Sequence, residues 1–163
     1  MTKPRCLDIH AHHVGQPLVE LINAEGEKYG VKIVKADDGA TRISVGGRLT
    51  GMPLIPPLND EAARLKWMDE AGIDVQLLAG WMDLAGYHLP TEAGQWLARA
   101  QNETLAEMAA RRPDRYAAAA AVPLQDAAVA ADELRYAVQK LGHRAVQIGA
   151  RVEEEGLDAP QYD

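Results

Sequence analysis

Apolar and polar positions alternate in short runs along this chain, and between those runs the apolar positions recur at helical spacing. In the first run Leu7 and Ile9 alternate with Asp8, His10 and His12, so a strand over 5–12 places the second set together on one face and turns Leu7 and Ile9 towards helices. Pro17 followed by Leu18, Leu21 and Ile22 predicts a helix with proline in its first turn, where the missing N–H costs nothing. The β-prone runs 31–34 and 41–45 flank Asp37-Asp38-Gly39 and read as a hairpin, closed by Gly46-Gly47-Arg48. Three prolines make 52–57 an irregular connection. Asn59 then reads as the N-cap of a helix with Ala62, Leu65 and Met68 on one face, ended by Gly72.

From there the pattern is regular. A strand over 73–79, a loop over 81–90, and a helix over 91–112 stopped by Pro113 are followed by a strand over 116–122, although its alanines also suit a helix. Asp126 caps a helix carrying Val129, Leu134, Val138 and Leu141 and closed by Gly142, and 145–148 reads as a fourth strand. Strands alternating with helices of this length predict βαβ units and a parallel sheet. Right-handed crossovers then put every strand C-terminus on one side. Residues 153–163 read as a loop leading towards a further helix.

The length of 163 residues suits one domain. Lys and Arg total 17 against 24 Asp and Glu, a net charge of −7, which argues against nucleic-acid binding. No apolar run reaches the 18 or so residues that span a bilayer, and no signal-peptide core precedes the first strand, so a cytoplasmic protein is expected. Cys6 is the single cysteine, which excludes a disulfide framework and fits a reducing compartment. At the strand start it reads as a buried small side chain. Phe is absent and Ala abundant, which suggests close packing of small side chains.

Two imidazoles two residues apart at the end of a strand can offer two nitrogens to one zinc, at about 2.0–2.1 Å each. Taken alone, His10 and His12 suit that role and a pair of loop histidines equally well. His13 is expected to face away from them. His143, just after Gly142, reads as a surface residue. Asp8, on the same face as the pair, must be paired or hydrogen-bonded. Trp81, Tyr87 and His88 either shape a pocket or cap the core, the second reading being favoured, and Trp67 and Trp96 read as packing.

The segments Asp8-Ile-His-Ala-His12, Arg64-Leu-Lys-Trp-Met-Asp-Glu-Ala-Gly-Ile-Asp-Val-Gln76, Ala121-Val-Pro-Leu-Gln125 and Val146-Gln-Ile-Gly149 occur in this order. Together they resemble the amino-terminal half of the aminocarboxymuconate-semialdehyde decarboxylase family, a branch of the amidohydrolase superfamily. The resemblance spans about residues 5–150 with a variable stretch over 13–58. It implies an α/β fold in which 1–163 forms part of a TIM (β/α)8 barrel domain, about four βα units, with a β-hairpin insertion at 31–45 and the carboxy-terminal half of the barrel absent. It further implies zinc, or another divalent metal, held by His10 and His12 with a histidine after strand five and an aspartate after strand eight. A catalytic histidine follows strand six. Those three positions fall beyond residue 163, so no catalytic residue is assigned within this half.

The implied activity is non-oxidative decarboxylation of an unsaturated or aromatic carboxylic acid, a lyase reaction. Zinc would lower the pKa of a water, and the substrate itself would serve as the electron sink, without an organic cofactor. Arg48 aligns with an arginine that grips the substrate carboxylate, although the proline-rich stretch after it departs from the family pattern. Tyr87 is a weaker candidate for substrate contact. A small carboxylate ligand and a homodimer are the partners implied. Two alternatives remain open. The same metal site could hydrolyse an ester, lactone or amide, or the half-barrel could be non-catalytic and pair with another chain through its open strand edges.

Overall fold

The computed structural model describes residues 6–162. Four parallel strands form a curled sheet in the order β1 (Leu7–His12), β5 (Val75–Ala79), β6 (Tyr116–Ala120), β7 (Ala145–Val146). Helices α1 (Gln16–Glu25), α3 (Glu61–Ala71), α4 (Thr91–Arg111) and α5 (Ala127–Gln139) join them, all packed on one side of the sheet. The expected half-barrel is therefore present, with its strand C-termini on one side. The fourth strand pairs over only two of the four residues expected.

After α1 the chain builds a separate antiparallel sheet. Strands β2 (Val31–Lys35) and β3 (Thr41–Val45) form the expected hairpin, and Gly46 and Gly47, both at positive φ, turn the chain into a third strand, β4 (Arg48–Leu49). Val31, Ile43 and Val45 bury against Leu18, Ile22, Leu84 and Leu97, which anchors the insertion to α1 and α4. A second core lies under the main sheet, where Leu78, Tyr116 and Ala118 pack on Met68, Leu105 and Met108.

Local physics moved several boundaries. The helix expected to start at Asn59 begins one residue later, because it is the Asp60 carboxylate that accepts the Ala63 N–H. Asn59 instead ends a single turn, α2 (Pro56–Asn59), that breaks the proline-rich connection. Helix α3 does end at Gly72, which adopts φ 71°, a conformation that favours glycine. Of its expected apolar face only Met68 is fully buried; Ala62 is exposed, and Arg64 takes the inner position.

Helix α5 differs more. Its buried stripe is Ala130, Glu133 and Ala137, while Val138 stays 48% exposed. Glu133 can occupy that stripe because Arg99 grips its carboxylate at 2.8 and 3.0 Å and Asn102 Nδ2 donates to it at 2.8 Å. The same Asn102 side chain holds both the N–H and the C=O of Ala121, just beyond β6. After β7 the chain turns through a short hairpin, β8 (Arg151–Val152) and β9 (Glu155–Gly156), where the sequence suggested a plain loop. No helix among the described residues is long and apolar enough to cross a membrane.

Breaking the Arg99–Glu133 pair strands a charge at a fully buried site. We expect Arg99→Met to lower the unfolding free energy by about 3 kcal/mol in urea titrations, and Arg99→Met with Glu133→Leu to lower it by less than the single change.

Candidate metal and substrate site

The site grows from an irregularity in β1. Asp8 pairs with Gln76 and Ala11 with Leu78, so three steps along β1 match two along β5. A bulge of this kind shifts the phase of every side chain after it. Asp8 and Ala11 both face the helix layer, whereas Leu7 and Ile9, 62% and 74% exposed, lie open. This corrects the plain alternation expected from the sequence, in which Leu7 and Ile9 faced the helices and Asp8 pointed with the histidines.

Past the bulge, His12 sits opposite Ala79 on the inner face, and His10 lies beside it with ring centroids 5.0 Å apart at 78°. Both rings line a concavity of about 300 Å³ over Leu77, Ala79, Ala119 and Ala145, and both reach a second of about 390 Å³ bounded by Met52, Ile55 and Trp67. His12 Nδ1 lies 2.9 Å from the Gly80 carbonyl oxygen. A carbonyl only accepts, so that nitrogen carries the hydrogen and Nε2 keeps its lone pair for a ligand. A Cβ at residue 80 would meet the far end of the Gln101 side chain, which would have to shift.

These donors fit a divalent metal. Two imidazoles bound tetrahedrally to one ion have ring centres about 5 Å apart, and a second-layer hydrogen bond on the other nitrogen is the usual support. Among the described residues, no group of three or more His, Cys, Asp or Glu could hold a metal.

Arg64, 7% exposed, lies behind the pair. It donates to the carbonyl oxygens of His12 and Pro57 and to Gln76 Oε1, and Gln76 Nε2 donates to Asp8 at 2.8 Å. Sequence reasoning gave neither Arg64 nor Gln76 a role. The signal was a polar residue inside the otherwise apolar strand Val75–Ala79.

The remaining candidates fall elsewhere. Arg48 forms a two-pronged ion pair with Glu153 at 3.0 and 2.9 Å, both groups being solvent-exposed. The Tyr87 hydroxyl accepts the Gly149 N–H at 3.0 Å, and burial raises its pKa. His88 bonds the Val45 carbonyl, and Trp81 is buried in the core. Trp96 stacks on Tyr29, whereas Trp67 is 51% exposed at the rim of the larger concavity rather than packed. His143 is not a surface residue: it is buried, with Nε2 3.0 Å from the Asn102 carbonyl oxygen. Cys6 is exposed rather than buried. His13 turns away from the pair as expected and is buried, and burial together with the positive charge of Arg64 lowers its pKa to about 4.

A family model described as Amidohydrolase matches residues 8–163, and the chain belongs to that family. More particularly, it is 41% identical over 85 residues to a gamma-resorcylate decarboxylase from Rhodococcus jostii strain RHA1, covering 52% of this chain and 26% of that protein. It is 27% identical over 101 residues to a 2-amino-3-carboxymuconate-6-semialdehyde decarboxylase from Dictyostelium discoideum, covering 62% of this chain and 28% of that one. The fold matches 5-carboxyvanillate decarboxylase from Sphingomonas paucimobilis with a TM-score of 0.72 at 24% identity, over 98% of this chain and 47% of that one. It also matches a dihydroxybenzoic acid decarboxylase from Polaromonas sp. JS666, solved with manganese and 2-nitroresorcinol, with a TM-score of 0.65 at 20% identity, over 98% and 44%. The chain therefore spans about a quarter to a half of the length of these relatives.

His13 and His143 are both buried, and both pKa values are held down by burial. The unfolded chain binds protons to them first, so stability present above pH 6.5 is lost as the pH falls towards 4. The His13 share is about 3 kcal/mol at most. Urea midpoints at pH 7 and 4.5 should differ accordingly, and His13→Gln should reduce the difference.

Proposed function

We propose that this chain supplies the first part of the active site of a divalent-metal-dependent decarboxylase acting on an aromatic or unsaturated carboxylic acid. The observation that carries the reading is the pair His10 and His12, side by side at the mouth end of β1, with the ligand nitrogen of His12 left free by its bond to Gly80. The decarboxylases among its relatives support the reaction class, and the manganese in one of their structures supports a divalent ion, of which zinc is one choice. When bound, the metal would supply a Lewis acid for the substrate oxygens and a water of lowered pKa.

This chain's own residues hold and shape. His10 and His12 would hold the metal. The floor formed by Leu77, Ala79, Ala119 and Ala145 is apolar, which suits a flat ring. Arg48 already grips a carboxylate, that of Glu153, in the two-pronged geometry a substrate carboxylate would need, so a substrate must displace Glu153 to bind there. Tyr87 sits behind the β7 end through Gly149 and orients that loop. In the reaction the bond from ring carbon to carboxylate breaks, carbon dioxide leaves, and a proton takes its place on carbon.

A catalytic metal wants three or four protein ligands, and the described residues offer two. Further ligands and a proton donor would have to come from outside the described residues, and the isolated chain is expected to turn over nothing. The test is to capture the endogenous protein from its source cells, measure its intact mass and metal content, and supply carboxyl-labelled 2,6-dihydroxybenzoate and related acids. Labelled carbon dioxide is expected. His10→Ala and His12→Ala should each lower it by at least 100-fold with loss of metal. Acid release from esters or lactones, without carbon dioxide, would sink the decarboxylase reading in favour of a hydrolase.

A further inference from the structure

The bulge in β1 is closed by a continuous path of hydrogen bonds that begins on one histidine and ends on the other. The His10 N–H donates to Asp8 Oδ1 at 3.0 Å, and Asp8 Oδ2 accepts from Gln76 Nε2 at 2.8 Å. Gln76 Oε1 accepts from Arg64 Nη1 at 2.9 Å, and Arg64 Nη2 donates to the His12 carbonyl oxygen at 2.5 Å. Gln76 is 1% exposed and Arg64 7%, so water competes little for these links. The path has a direction. A guanidinium can only donate and a carboxylate can only accept, so the one amide between them is forced to point its oxygen at Arg64 and its NH₂ at Asp8.

We infer that Asp8, Gln76 and Arg64 are positioning residues for the histidine pair: their hydrogen-bonded path holds the bulge and thereby sets His10 beside His12. Without the bulge, strand alternation would carry the side chains of residues 10 and 12 to the side of Asp8, into the helix layer. With it, Ala11 faces Leu78 in the core and the imidazoles meet on the open face. The inference rests on the reading of His10 and His12 as metal ligands only for its consequence, not for its geometry. Because Arg64 sits on α3 and also holds the Pro57 carbonyl, the same path ties the rim of the larger concavity to the pair.

The direction of the path provides the test. Asp8→Asn is nearly isosteric but sets an NH₂ against the Gln76 NH₂. Gln76→Glu sets two carboxylates against each other. Asp8→Asn with Gln76→Glu restores a consistent order, since a carboxylate at position 76 can accept both from Arg64 and from an amide at position 8. Two readouts are taken on the full chain: contacts between the His10 and His12 ring protons by nuclear magnetic resonance, and Zn²⁺ affinity by calorimetry. Each single variant is expected to lose the ring contact and to bind Zn²⁺ about 10–100-fold more weakly, and the double variant to recover both. Folded single variants that keep contact and affinity would overturn the inference, as would a double variant no better than the singles. Should a single variant unfold, a folded double variant supports the path and an unfolded one refutes it. If the wild-type chain binds no Zn²⁺ while the ring contact is lost and regained as described, the positioning stands and the metal reading falls.

Discussion

A buried guanidinium organises the mouth of this half-barrel. Arg64 leaves water at a large desolvation penalty that the acceptors of its two terminal nitrogens offset, while its buried Nε has no partner. Its acceptors are two backbone carbonyls and the Gln76 side chain, and the negative charge of Asp8 is reached through that amide. The penalty for disrupting this arrangement is shared by α3, the short turn α2, β5 and β1, which these hydrogen bonds tie together. The histidines inherit their placement from that arrangement rather than from any contact with each other.

The βα alternation was legible because its punctuation is chemical. Gly72 and Pro113 end helices, Asp126 caps one, and the apolar strands between them are short and bounded. The hairpin at 31–45 was legible for the same reason. What alternation could not carry was the bulge, since one extra residue in a strand leaves no mark in a pattern of apolar and polar letters. The strand runs out of phase on the two sides of it, which is why Leu7, Ile9 and Asp8 came out reversed while the histidines did not. The inner face of α5 was hidden because Glu133 looks like a surface residue until Arg99 and Asn102 are seen around it. His143 was misplaced for a similar reason, its acceptor being a backbone carbonyl 41 residues away. The family motifs pointed to His10 and His12 but were silent on Arg64 and Gln76, which lie inside one of those same motifs.

The distribution of charge around the site separates two kinds of ion pair. Arg99 and Glu133 are a structural pair, with the carboxylate wholly enclosed. Arg48 and Glu153 are exposed and exchangeable, joining the insertion sheet to the segment after β7 across 105 residues of sequence. An exposed pair of this sort contributes little to stability. It can therefore be opened by a competing carboxylate at small expense to the fold, which a pair of the first kind could not.

The order of strands in the main sheet is the order in which they are made. Each of β5, β6 and β7 adds to the edge left by its predecessor, and only the insertion interrupts the sequence. As the polypeptide emerges during synthesis, every new strand of the main sheet finds a finished edge to dock on. The growing sheet always presents one raw edge, that of the latest strand, and one older edge, that of β1. Assembly can thus run in one direction along the chain, with the two histidines already set in place by the second unit and waiting at the rim while later units are laid down.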